Sequence, residues 1–195
     1  MSGVKNRVIA DELASGAIGF LRTPRNRNRV DESVAVWAMD NGCYAGTYPG
    51  DDKYLAQLDS LAPHRERCLF VAVPDVLGDA AATLAQFPAM AKAIRERGWP
   101  VALVGQDGME SRPIPWDDVD WVFIGGSSEW KMGPGARALI HRAKTHGKKV
   151  HVGRVNSHKR YRYFAGLGCD SADGTFLGFG PEKNAPQLRR WLGLA

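Results

Sequence analysis

The chain has 195 residues, of which 44% are hydrophobic and 24% are charged, a composition typical of a folded globular protein rather than a disordered one. Its 26 Lys and Arg residues exceed its 21 Asp and Glu residues by five, which favours an anionic partner. No apolar run approaches the ~20 residues of a membrane span, and the N-terminal segment lacks the apolar core of a secretory signal. We therefore expect a cytoplasmic protein without membrane contact, folded as a single domain over residues 1–195.

Short apolar runs alternate with helical patterns along the chain. Strands are predicted at residues 17–21, 34–39, 68–73, 101–104, 121–124 and 150–152, because these runs are too short for helices and rich in β-branched or aromatic residues. Helices are predicted at residues 51–61, 79–97, 135–146, 157–165 and 186–192. This alternation predicts parallel strands joined by right-handed crossovers. A doubly wound open sheet and a (β/α) barrel both fit the pattern.

Polar residues follow nearly every predicted strand. The segments are Asp40-Asn41-Gly42, Pro74-Asp75, Gly105-Gln106-Asp107-Gly108, Gly125-Gly126-Ser127, Gly153-Arg154 and residues 170–175. In parallel α/β folds the carboxyl ends of the strands meet at one face, where ligands bind. The sequence therefore predicts a converging polar pocket at that face.

Positive charge is concentrated in residues 130–169, which contain no acidic residue. Tyr161 and Tyr163 alternate there with Arg160 and Arg162, which mixes groups that stack on bases with groups that bind phosphates. The basic residues of this stretch are Lys131, Arg137, Arg142, Lys144, Lys148, Lys149, Arg154, Lys159, Arg160 and Arg162. Such an electrostatic footprint predicts contact with nucleic acid.

Cysteine usage and the common catalytic motifs narrow the chemistry. Cys43, Cys68 and Cys169 are isolated in the sequence, so reduced thiols are expected rather than a zinc site. The chain has no P-loop, no HExxH motif and no Gly-x-Ser-x-Gly elbow. We expect neither a metal nor a cofactor.

The ordered polar motifs, together with Gly168-Cys169-Asp170-Ser171-Ala172-Asp173, resemble those of the guanine transglycosylases over residues 34–175. This family comprises the queuine-type tRNA-ribosyltransferases and relatives that insert 7-deazaguanines into the DNA of bacteria and phages. The resemblance implies an α/β fold of the (β/α) barrel type, TIM-like and trimmed. It also implies base exchange through a covalent glycosyl-enzyme, with no cofactor.

The resemblance assigns roles to several residues. Asp173 matches the nucleophile, with Asp170 as the alternative nucleophile, and Asp40 matches the general acid and base. The residues implied in base binding are Asp75, Gln106, Gly125 and Gly126. Guanine offers N–H donors and a carbonyl, so a carboxylate and an amide suit its edge.

The chain departs from the family in length and in lacking the zinc site of three cysteines and a histidine. Because that region helps to hold RNA and the partner subunit, we expect DNA rather than tRNA as the polymer, and the oligomeric state stays open. The residues expected to hold the phosphates are Arg154, Lys159, Arg160 and Arg162. The incoming substrate would be a 7-deazaguanine, such as 7-cyano-7-deazaguanine. The alternatives are a tRNA-guanine transglycosylase, a nucleoside hydrolase-type barrel enzyme and a non-catalytic nucleic-acid-binding module.

Overall fold

A parallel sheet forms the centre of the computed structural model, which describes residues 6–25 and 30–194. Its strands are β1 (Phe20–Arg22), β2 (Trp37–Met39), β3 (Cys68–Ala72), β4 (Val101–Gly105), β5 (Trp121–Ile124), β6 (Lys149–Val152) and β7 (Ser171–Ala172). Consecutive strands are neighbours throughout, and every neighbouring pair is parallel. A doubly wound sheet reverses its strand order at a switch point, so this unbroken order is that of a (β/α) barrel.

The sheet is strongly curled. The rings of Phe70 on β3 and His151 on β6 lie 5.0 Å apart, whereas strands three positions apart in a flat sheet would be about 14 Å apart. Phe123 on β5 contacts both rings, at 5.9 Å from Phe70 and 4.6 Å from His151. Among the described residues β1 and β7 do not pair with each other, so the barrel stays open at a seam between them. The fold is therefore a trimmed, TIM-like (β/α) barrel.

Helices cover the outer face of the sheet. They are α1 (Arg7–Ala14), α2 (Asp51–Ser60), α3 (Ala80–Glu96), α4 (Ser128–Met132), α5 (Pro134–Thr145), α6 (His158–Gly166) and α7 (Pro181–Trp191). Tyr54, Phe87 and Leu139 from three of these helices are fully buried against the sheet. None of the helices within the described residues has the length and apolar character to cross a membrane.

The predicted elements differ from the observed ones in a few places. The short elements α1, α4 and β7 were not predicted, and α7 begins at Pro181 rather than at residue 186. Proline favours the first turn of a helix, and Pro181 takes that position while Pro186 lies inside the helix. The glycine-rich segment from Gly133 is the entry to α5, with Gly133 as its N-cap.

Candidate active site

A cavity of about 400 Å³ opens at the carboxyl ends of the strands. Its lining includes the predicted site residues Asp40, Asp75, Gln106, Gly125, Gly126, Arg154 and Asp173. These residues come from loops that follow β2 to β7. The curled sheet thus brings together side chains that lie up to 133 positions apart in the sequence, from Asp40 to Asp173. The predicted polar pocket is present.

Asp173 is held on both oxygens of its carboxylate. Oδ1 lies 3.1 Å from Nε2 of His151, and Oδ2 accepts the backbone N–H of Arg154 at 3.2 Å. The backbone of Asp173 continues the ladder beyond β7, because its N–H donates to the carbonyl of Val152 at 3.0 Å. The carboxylate therefore has a fixed orientation at the cavity wall.

His151 is a functional candidate that was not predicted from the sequence. It is buried on the inner face of β6, where its ring packs against Phe70 and Phe123. Its Nδ1 lies 2.8 Å from Oγ of Ser171, and its Nε2 faces Asp173. When the Ser171 hydroxyl donates to Nδ1, the proton of neutral His151 sits on Nε2 and points at the carboxylate. The only signal in the sequence was a histidine between the two valines of the predicted strand 150–152, two positions before Gly153.

Asp40 shares the cavity with Asp173 but has a different environment. Its Oδ1 accepts the backbone N–H of Gly42 at 2.6 Å, in the turn that follows β2. Burial raises the pKa of Asp40; the Gly42 hydrogen bond opposes this effect, and the negative charge of Asp173 adds to it. Burial therefore favours the protonated form of Asp40, whereas the carboxylate of Asp173 faces His151 and the backbone N–H of Arg154.

Asp75 is clamped between two amide side chains. Its Oδ1 accepts Nδ2 of Asn41 at 2.7 Å, and its Oδ2 accepts Nε2 of Gln106 at 2.6 Å. Burial raises the pKa of Asp75, and the hydrogen bond from Asn41 opposes that rise. The Oε1 atom of Gln106 accepts the backbone N–H of Gly78 at 3.0 Å. Gln106 therefore orients Asp75 and the loop beside it. Asn41, which the sequence placed in the polar segment after β2 without a role, holds Asp75 from the opposite side.

The two glycines form a wall without side chains. A β carbon at Gly126 would lie 2.4 Å from Oδ1 of Asp107, and one at Gly125 would lie 2.7 Å from Cγ1 of Val104. Their carbonyl oxygens accept hydrogen bonds from Nη2 of Arg154, at 2.8 Å for Gly125 and 2.5 Å for Gly126. Only glycine fits both positions, so backbone borders the cavity on this side.

Cationic side chains lie beside Asp173. Arg154 has a positive φ of 64°, and its guanidinium lies 4.2 Å from the centre of the Tyr44 ring. Lys131 of α4 is buried, and its Nζ donates to the carbonyl of Gly153 at 2.6 Å. Burial, aided by the charge of Arg154 and opposed by that of Asp173, lowers the pKa of Lys131 to about 8. In the sequence, Lys131 stands out only as one member of the basic stretch 130–169.

Asp170, the alternative nucleophile, lies away from this cavity. Its Oδ2 accepts Nζ of Lys144 at 2.9 Å and the backbone N–H of Val150 at 2.7 Å. Because β7 runs from Ser171 to Ala172, Asp170 stands at its amino end and Asp173 at its carboxyl end. The structure therefore brings Asp173, and not Asp170, to the residues that line the cavity.

The predicted phosphate-binding residues divide into two groups. Arg154 lines the cavity, while Lys159, Arg160 and Arg162 lie on α6. This helix begins just after the loop that carries Arg154, and Ser157 caps it by accepting the backbone N–H of Arg160. The charge of Arg160 contributes to the lowered pKa of Lys131. The start of α6 therefore supplies positive charge near Lys131 and shortly after the loop that carries Arg154.

Within residues 6–25 and 30–194 no group of three or more His, Cys, Asp or Glu side chains is arranged to hold a metal ion. Neither a family model nor a curated protein matches the chain.

Comparison with solved structures identifies the class of fold. A protein assigned as a glycerophosphoryl diester phosphodiesterase, from Silicibacter pomeroyi, matches with a TM-score of 0.52 and 12% identity, over 94% of this chain and 54% of its own. A ligand-free tryptophan synthase variant from M. tuberculosis matches with a TM-score of 0.47 and 18% identity, over 82% of this chain and 59% of its own. The chain thus spans little more than half the length of either structure. The first match agrees with the trimmed barrel described above and concerns the fold alone.

Proposed function

We propose that this protein is a DNA guanine transglycosylase, which exchanges guanine in DNA for a 7-deazaguanine through a glycosyl-Asp173 intermediate. The observation that carries the proposal is the pair of carboxyl groups in one cavity. Asp173 faces Nε2 of His151 and accepts the backbone N–H of Arg154, while burial raises the pKa of Asp40. Two carboxyl groups in contrasting environments divide the roles of nucleophile and acid in retaining glycosyl transfer.

The reaction proceeds in two displacements at the anomeric carbon. The Asp173 carboxylate attacks C1′, the bond from C1′ to N9 of guanine breaks, and protonated Asp40 gives its proton to the departing base. The 7-deazaguanine then enters, loses its N9 proton to Asp40 and attacks C1′. The ester to Asp173 breaks, and the carboxylate is restored. His151 and the Arg154 N–H keep the attacking group oriented through both steps.

Base recognition is assigned to Asp75 and the surfaces around it. Each carboxylate oxygen of Asp75 accepts one amide hydrogen bond, which leaves further lone pairs for the N–H donors of guanine. The backbone of Gly125 and Gly126 and the ring of Tyr44 provide flat surfaces for a planar ligand. A cavity of about 400 Å³ lies in the size range of small-molecule sites.

DNA binding is assigned to the positive charge beside the cavity. A base inside a duplex is out of reach of Asp173, so the target guanine must leave the stack or come from a single strand. Arg154 at the cavity, with Lys159, Arg160 and Arg162 on α6, would hold the flanking phosphates and offset the cost of flipping.

The test is incorporation of 7-cyano-7-deazaguanine by the purified protein into single-stranded DNA, duplex DNA and tRNA, measured by mass spectrometry of the nucleosides. The proposal predicts loss of guanine and gain of the deazaguanine nucleoside in DNA, with Asp173→Asn inactive. Preferred incorporation into tRNA would replace DNA by RNA as the substrate. Release of guanine without incorporation would contradict base exchange and favour a hydrolase of the nucleoside hydrolase type.

A further inference from the structure

Exposed apolar side chains gather at the mouth of the cavity. Among the described residues, five large hydrophobic side chains are exposed, and three of them are Tyr44, Val76 and Leu77. Tyr44 and Leu77 line the cavity, and Leu77 is 52% exposed. Scattered exposed hydrophobic residues are ordinary on a protein surface, but Tyr44 and Leu77 line the cavity, and Val76 directly precedes Leu77 in the same loop.

Hydrogen bonds on both sides of Leu77 fix the loop that carries it. The hydroxyl of Thr83, which is only 1% exposed, accepts the N–H of Val76 at 3.0 Å and donates to its carbonyl at 3.2 Å. On the other side of Leu77, the N–H of Gly78 donates to Oε1 of Gln106 at 3.0 Å. Leu77 therefore projects into solvent from a loop fastened on both sides, rather than from a slack segment.

We propose that Leu77, with Val76 beside it, is a wedge that enters the DNA stack where the target guanine has left it. This inference rests on the proposed function. A guanine that reaches Asp173 leaves a gap between its neighbouring base pairs, and side chains such as leucine fill gaps of this kind in deformed DNA. An exposed leucine at the cavity rim would exchange contact with water for contact with base faces.

The wedge distinguishes duplex from single-stranded substrates. Leu77→Ala should lower the rate of exchange in a duplex about tenfold, by removing most of the inserted apolar surface. The rate in single-stranded DNA should fall much less than the duplex rate, because no duplex stack has to be opened there. A duplex with the target guanine opposite an abasic site should show a smaller loss. Leu194→Ala is the matched control, since Leu194 is also exposed and lies outside the cavity lining.

An equal loss of exchange rate on all three DNA substrates would show that Leu77 forms part of the base pocket, which would overturn the wedge proposal. An unchanged rate on the duplex would overturn it as well. A second measurement tests the wedge proposal independently of base exchange. With 2-aminopurine at the target position of a duplex, wild-type binding should raise its fluorescence and Leu77→Ala binding should not. If wild type exchanges no base in any DNA, the proposed function fails, and the fluorescence still decides the wedge. Equal fluorescence for the two proteins would overturn it.

Discussion

Replacement of His151 by phenylalanine tests how the proposed nucleophile is oriented. In the structure Nε2 of His151 lies 3.1 Å from Oδ1 of Asp173, and the ring packs at 5.0 Å from Phe70 and 4.6 Å from Phe123. Phenylalanine keeps this packing and removes only the polar contacts. The carboxylate then keeps the Arg154 N–H on Oδ2 but loses the donor on Oδ1.

The expected effect follows from the strength of that contact. A hydrogen bond to a charged group is worth about 1.5–3 kcal/mol, which corresponds to about 10- to 150-fold in the rate of the step that needs it. We expect His151→Phe to slow formation of the glycosyl-enzyme by that factor. The KM values for DNA and for the free base should stay near those of wild type, because His151 lies behind the residues that line the cavity.

The assay is single-turnover formation of the protein–DNA adduct, resolved on a denaturing gel. His151→Gln retains an N–H donor and should recover part of the rate. His146→Phe is the matched control, because His146 is exposed and stacks on Trp116 instead. An unchanged adduct rate in His151→Phe would refute the reasoning. A raised KM with unchanged kcat would show that His151 shapes the base pocket and does not orient the nucleophile.

The other predictions concern the acid, the base reader and the DNA contacts. Burial raises the pKa of Asp40 in the folded protein, so protonated Asp40 stabilises the fold at acid pH, and this stabilisation is lost as pH rises from the unfolded pKa of about 3.9 through the folded pKa. Asp40→Asn should raise Tm at neutral pH and remove this pH dependence, which thermal melts from acid to neutral pH would check. The same variant should abolish base exchange. Asp75→Ala should weaken binding of free 7-cyano-7-deazaguanine about tenfold or more and leave DNA affinity intact, and unchanged affinity by calorimetry would make Asp75 structural only. The double replacement of Lys159 and Arg160 by alanine should flatten the slope of log affinity for duplex DNA against log salt by about two. Lys92→Ala, near the carboxyl end of α3, should leave the slope unaltered.

The strands and most helices were predictable because local patterns determine them. Residues 121–124 are a β-branched and aromatic run in the sequence, and they form β5 with the predicted bounds. Asp79 was predicted to open α3, and it caps that helix by accepting the N–H of Ala82. Strand β7 was missed, because Ser171–Ala172 is a strand only through pairing with the backbone of β6. A two-residue strand of serine and alanine leaves no local signal.

Site residues that directly follow strands were predictable from the sequence. Residues that reach the site only because the sheet curls were not. Asp40 and Asp173 were identified from their places in motifs, and both line the cavity. His151 and Lys131 were missed, since a histidine in a strand and a lysine in a basic run look ordinary until the sheet curls and α4 folds onto it. The choice between Asp173 and Asp170 stayed open because it depends on where β7 lies between them.

The most direct test of the central claim is the mass and position of the covalent intermediate. Wild-type protein and a guanine-containing oligonucleotide, incubated with a slow incoming base, should give a species with the mass of protein plus oligonucleotide minus one guanine. Peptide mapping should place the modification on Asp173, and Asp173→Asn should give no such species. An adduct that persists in Asp173→Asn and disappears in Asp170→Asn would contradict the account, and so would released guanine with no adduct in wild type.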